Sequence, residues 1–172
     1  MATVTQEYAA SSNLTVTNLH SLAASTSLLS GWTSGTIDNT STKYTDIVVS
    51  AQFTKASSNM QAGVIQVWGY AMLDDSTWPD VFSSGTEGTQ GTATIHDDEQ
   101  KAEAFVLLWS TVTDTGTSEV HNMRPVSLRA AFGFVPAKCA IFITGSAATS
   151  TNAQLAASGN QVTTKGLYEI IA

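Results

Sequence analysis

The stretch Tyr44-Thr45-Asp46-Ile47-Val48-Val49-Ser50-Ala51-Gln52-Phe53-Thr54 decides the fold class. Ile47, Val49, Ala51 and Phe53 fall on one side of an extended chain and Asp46, Ser50, Gln52 and Thr54 on the other. That is the period of two that marks a half-buried strand. Next, after the turn-like Ala56-Ser57-Ser58-Asn59, comes Ala62-Gly63-Val64-Ile65-Gln66-Val67-Trp68-Gly69-Tyr70-Ala71-Met72, rich in β-branched and aromatic residues. Such residues suit a pleated surface, and the two runs are predicted to pair as a hairpin in the middle of a sheet.

Farther along, residues 104–112 and 138–144 are short apolar runs bounded by turn residues, and they read as central strands. Shorter candidates lie at 14–17, 119–123, 126–129 and 167–171. The tally is about eight strands, the signature of an all-β sandwich or barrel. No stretch joins a capping residue to a long 3.6-period apolar pattern and a glycine stop. Helix is therefore expected only as single turns near residues 19–23 and 153–157.

At 172 residues one domain, 1–172, is expected, since a single core serves all-β chains up to roughly 200–250 residues. The charged share is 12%, about half of the roughly 25% usual in globular proteins. Hydration falls instead to 25 Thr and 20 Ser, whose small hydroxyls lose little entropy when ordered. Such a surface suits a protein that neighbours will cover, because few hydrated ions have to be stripped at a contact. The formal net charge of −7 and the seven scattered basic residues argue against binding to nucleic acid, which needs Lys and Arg against phosphate. No apolar run approaches the roughly 18 residues that span a bilayer, so no membrane partner is expected. The opening residues lack the basic start and apolar stretch of a secretory signal, and Cys139 alone forms no internal disulfide. Both fit folding in a reducing cytoplasm.

Two segments are expected to stay outside the core. Residues 83–94 hold three Gly and no large apolar side chain and read as an exposed loop; residues 1–12 are polar and read as an N-terminal arm or frayed end.

The candidates for chemistry are sparse. His20, His96 and His121 lie far apart and show no zinc spacing. Cys139 opens an apolar strand, where a free thiol behaves as a small hydrophobe. No Gly-X-Ser-X-Gly elbow is present to expose a nucleophilic serine. Asp74, Asp75 and Asp80 form one acidic turn and Asp97, Asp98 and Glu99 another. A glycosidase pair or a calcium ion is conceivable there, but neither cluster has the Asp-X-Asp-X-Asp-Gly loop, and surface acids capping turns explain them more simply. Trp32 and Trp78 sit in turn-like contexts, where tryptophan either stacks on a sugar ring or folds back over the end of the core. No catalytic, metal-binding or cofactor-binding residue is assigned, and no small-molecule substrate is implied.

The succession Leu19-His20-Ser21-Leu22-Ala23, Leu29-Ser30-Gly31-Trp32, Ile37-Asp38-Asn39, residues 44–49, Gly63-Val64-Ile65-Gln66-Val67-Trp68 and Leu73-Asp74-Asp75-Ser76, together with residues 134–145, resembles small structural proteins encoded by tailed bacteriophages. The resemblance implies a jelly-roll-like β-sandwich built into the virion, with decoration (cement) of the capsid exterior as the expected role. It implies the major capsid protein and further copies of the chain as partners, in trimers or other clusters, and carries over no functional residue. The competing expectations are a tail or baseplate component of the same fold, a carbohydrate-binding module using Trp32 or Trp78, and a hydrolase using Asp75 or Asp98.

Overall fold

The structure is a computed structural model and describes residues 3–57, 62–74, 76–116, 118–147 and 154–171. In chain order the strands are β1 (Val4–Tyr8), β2 (Ser12–Asn13), β3 (Ser30–Thr33), β4 (Ile37–Asp38), β5 (Asp46–Thr54), β6 (Gly63–Ala71), β7 (Phe82–Ser84), β8 (Gly91–Ile95), β9 (Phe105–Thr113), β10 (Val120–Ser127), β11 (Lys138–Ala147) and β12 (Gln161–Ile171). Helix α1 (Asp98–Ala104) precedes β9, and α2 (Leu128–Phe132) follows β10.

The pairings are nested. β1 runs antiparallel to β12, β3 to β11, β5 to β10 and β6 to β9, so the chain forms one long double-stranded ribbon. Rolling the ribbon up lays β12 beside β5 and β11 beside β6. The result is one sheet of order β1-β12-β5-β10, with β2 on β12, facing a second of order β7-β8-β3-β11-β6-β9, with β4 on β11. The fold is all-β, a sandwich with jelly-roll strand order. Where eight strands were expected, twelve are found among the described residues: the runs at 119–123 and 126–129 join in β10, and β1, β3, β4, β7 and β8 are too short or too polar to stand out in the sequence.

Between the sheets Ile47, Val49, Ala51 and Phe53 of β5 share one cluster with Ile65 and Val67 of β6, Cys139, Ile141 and Ile143 of β11, Met123, Leu128 and Val162. The expected β5–β6 hairpin is therefore corrected: the two strands lie in opposite sheets. Each has one apolar face, and both faces are satisfied when they point at each other across the core. The connecting residues 58–61 lie outside the described residues, and so does Ala153 of the helical turn expected near 153–157. Within that turn Leu155 makes a lone bridge to Lys55 instead of a helix.

β11 reads KCAIFITGSA and is buried along nearly its whole length. Its inward residues enter the main core, while Ala140 and Phe142 point the other way into a second cluster with Tyr70, Val81, Phe82, Ala93, Ile95 and Phe105. Rings pack edge to face here, Tyr70 on Phe82 at 5.6 Å and Phe105 on Phe142 at 5.7 Å.

That second core corrects the expected loop at 83–94. β8 begins inside it, and Ala93 and Ile95 are buried, because the alternation Ala93-Thr94-Ile95 gives a small apolar face that covers Phe142. Only residues 85–90 remain a turn, and they are tied down. The Glu87 carboxylate accepts from the Val81 and Phe82 amides at 3.2 and 3.0 Å, and the Gly88 amide donates to the Tyr70 hydroxyl at 3.0 Å. Gly88 has φ +66°, and a Cβ there would overlap the Trp78 ring, so glycine alone fits.

The arm expected over residues 1–12 is corrected over its described part. Val4–Tyr8 pair with β12 in register from Val4 opposite Ile171 to Tyr8 opposite Leu167. All five residues are exposed, so backbone hydrogen bonds rather than burial hold this edge strand. The strand expected at 126–129 ends at Ser127, whose hydroxyl accepts from the Ala130 amide at 2.9 Å and starts α2. At 14–17 the expected strand is displaced to Ser12–Asn13, and a 3-10 turn follows at Thr17–Leu19.

Candidate functional site

Two large apolar side chains stand in solvent on segments held by backbone hydrogen bonds. Leu73 is 73% exposed. Its amide donates to the Thr77 carbonyl at 2.9 Å, and the Asp74 carboxylate accepts from the Ser76 and Thr77 amides at 2.7 and 2.6 Å. Those backbone donors hold the Asp74 carboxyl below its ordinary range. Phe134 is 57% exposed and follows Gly133, which closes α2 in the left-handed region at φ +80° with its amide on the Arg129 carbonyl at 2.9 Å. The Phe132 and Phe134 rings lie 6.2 Å apart, tilted by 55°.

Between these turns runs a groove of about 610 Å³ on the outer side of the second sheet. Ala71, Met72 and Leu73 after β6, Pro79, Asp80 and Val81 before β7, Gln100, Glu103 and Ala104 of α1, Val106 of β9, Phe132 and Phe134 line it. Gln100 and Glu103 are three residues apart and so share a helix face. The lining holds two carboxylates and no basic side chain. The lysine of α1 is turned inward: Lys101 is buried, donates to the Leu28 carbonyl at 2.7 Å and sits 4.7 Å from the centre of the Trp68 ring. Burial lowers its pKa from the ordinary value.

Beside the groove β9 forms the open edge of the sheet, nine residues without a charge or a proline. Leu107 and Val112 are exposed on it. The edge strand of the other sheet on this side, β10, carries Arg124, Pro125 and a register shift between Met123 and Val126, all devices that discourage strand addition.

The acids singled out in the sequence do local structural work. The Asp97 carboxylate caps α1 by accepting from the Gln100 amide at 2.8 Å, and Asp98 and Glu99 occupy its first turn, where negative charge suits the helix dipole. Asp74 organises its turn as described, and Asp80 lines the groove. Asp75 lies outside the described residues. His96 is exposed, His20 Nδ1 lies 3.1 Å from Asn160 Nδ2, and His121 Nε2 lies 3.7 Å from Glu119 Oε2, so the three are not brought together. Among the described residues no group of three or more His, Cys, Asp or Glu side chains is placed to hold a metal ion. Cys139 faces the main core, and burial pushes its thiol up to about 12.

The tryptophans change role. Trp32 lies in β3 and is fully buried, which corrects its loop placement and removes it as a sugar-stacking surface. Its ring joins the main core with Ile141 and Ile143 of β11. Trp78 folds back on Tyr70, ring centres 5.3 Å apart, over Gly88. Sequence reasoning missed the groove because it looked for polar chemistry. The available signal was a bulky apolar residue inside a turn, Leu73 before Asp74 and Phe134 after Gly133, where no pleat exists to bury it.

No known family model matches this chain, and no curated protein matches it in sequence.

Proposed function

We propose that the protein is a non-enzymatic structural component of a virion, a decoration protein that binds the outside of an assembled phage head and stabilises it. The observation that carries this reading is the presentation of Leu73 and Phe134 on hydrogen-bonded turns beside an uncharged open edge, while Asp74 and Asp97 are committed to a turn and a helix cap. An exposed apolar surface is suited to joining surfaces. The jelly-roll sandwich is in keeping with it, since that architecture recurs in viral shells, although it serves lectins and other proteins too.

In this reading the major capsid protein is the partner, and many copies bind identical sites on the shell. Binding the assembled lattice and not its dissociated subunits shifts the equilibrium toward the lattice by mass action. Weak identical contacts then add up along the shell. The sugar-binding alternative loses Trp32, which is buried, and keeps only the half-buried Trp78, packed against Tyr70.

The test is co-sedimentation of the purified chain with undecorated heads of the phage that encodes it. Saturable binding that raises the temperature at which heads release DNA is the expected result. Heads left bare, with antibody against the chain labelling tails instead, would overturn decoration in favour of a tail role.

A further inference from the structure

We propose that the groove between Leu73 and Phe134 is the docking site for a segment of the shell partner that carries bulky apolar residues flanked by lysine or arginine. The inference rests on the shell-binding reading above and adds the chemistry of the segment that is bound. Three observations converge on it.

The first is shape and polarity. A groove of about 610 Å³, floored by Ala71, Val106 and Phe132, is roomy enough for a few side chains, since clefts of roughly 300–1,000 Å³ take ligands of that size. Leu73 and Phe134 at its lips are exposed apolar side chains whose covering removes apolar surface from water.

The second is charge. Asp80 and Glu103 line the groove, and the only base of the adjoining helix, Lys101, is buried on its far side. Nothing in the lining neutralises the two carboxylates. A cationic segment therefore gains at this rim, and an acidic one is repelled. The same argument disfavours a second copy of this chain, whose net charge is −7 and whose seven basic residues include the buried Lys55 and Lys101.

The third is hydrogen bonding. The ionised groups of the lining, the Asp80 and Glu103 carboxylates, are acceptors only, while the Gln100 side-chain oxygen is buried and is not open to a bound segment. Lysine and arginine side chains are donors only, so they complement such a set where a neutral or acidic segment does not.

The test uses the full chain and three short fluorescent peptides with a common Leu-Phe centre, flanked by lysines, by glutamines or by glutamates. Binding is followed by anisotropy, alongside co-sedimentation with undecorated heads. The lysine-flanked peptide should bind best, by about tenfold over the glutamate-flanked one, the size expected of two solvent-facing ion pairs, and added salt should narrow the gap. The double variant D80K/E103K should reverse the order of the peptides. F134S should weaken all three while leaving the circular dichroism and unfolding midpoint unchanged. Equal binding of the three peptides, or an order that D80K/E103K leaves intact, would overturn the proposal. So would self-association of the chain that F134S abolishes. Heads bound equally well by the wild type and by both variants would sink this inference and leave decoration standing. Peptide binding of the expected order without any binding to heads would support the groove's chemistry and sink decoration.

Discussion

The outer faces of the two sheets are opposites. On the sheet of β5 and β12 the outward residues Val48, Ser50, Thr163 and Lys165 are half-buried and line a shallow depression with Tyr8 and Asp46. On the sheet of β6 and β11 the outward residues Tyr70, Ala140 and Phe142 are fully buried beneath β7, β8 and the residues before α1. The difference starts in the strands. β5 alternates and needs one covered face, whereas β11 is apolar on both sides and needs two. The chain meets the second need with the excursion from residue 72 to 104, placed between β6 and β9. The groove lies where that cover stops, at Leu73, Val106, Phe132 and Phe134. A half-open polar face and a capped apolar one therefore give the molecule two outsides, and the capped side has Leu73 and Phe134 on turns at the margin of its cover.

Paired truncations break or uphold this comparison most directly. Phe142→Ala, on the covered face, should destabilise by about 3–5 kcal/mol, as deletion of a buried ring does. Ser50→Ala, on the half-open face, should stay within about 0.5 kcal/mol of the wild type. Urea titrations followed by tryptophan fluorescence measure both. Similar losses at the two sites would show that the outer faces are not energetically distinct.

A second effect appears at high pH and separates the buried side of β11 from the surface. The native Cys139 thiol stays protonated to about 12, against an ordinary value of 9.0. Because the folded value is raised, the stabilisation is complete below pH 9 and is lost as the pH climbs toward 12, where the unfolded chain has released the proton and the folded one has not. Tyr70, also buried and raised above 10.0, acts in the same direction. The slope for one such group is at most about 1.4 kcal/mol per pH unit. Cys139→Ala should therefore flatten the fall in unfolding free energy between pH 9 and 12, relative to the wild type. An unchanged slope would mean that the thiol ionises in the folded protein as it does in water.

Much of the sandwich was legible because its central strands carry their burial in their pattern. Residues 46–54 alternate, residues 138–147 do not, and both are buried accordingly. Partnership was not legible: β5 and β6 are neighbours in sequence and lie in opposite sheets, since two half-apolar strands fit a hairpin and a sandwich equally well. Short elements escaped for a different reason. β8 presents only Ala93 and Ile95 to the core, too few residues for a periodic signal, and Trp32 looked like a loop residue because glycines and serines surround it. In the acidic turns, expected as surface acids that cap turns, Asp74 accepts from two following amides and Asp97 from one, a local pattern that needs no tertiary partner. The groove was hidden because its residues come from four separate stretches of chain, from Ala71 to Phe134.

The smallest expected effect tests whether the groove belongs to the cover or to the surface. Leu73 and Phe134 are exposed in the folded protein, so replacing them by serine removes little buried area and the transfer energy at stake is small. Each of Leu73→Ser and Phe134→Ser should leave the unfolding free energy within about 0.5 kcal/mol of the wild type. Phe134 touches Phe132, which keeps its own packing under Gly69, so the loss at 134 should not spread inward. Binding of a hydrophobic dye to the native protein should fall in both variants, because the apolar lips are the surface that the dye senses. A core-sized loss at Phe134, near that of Phe142→Ala, would mean that the cover extends over the groove and that the contrast between anchored margin and closed interior does not hold.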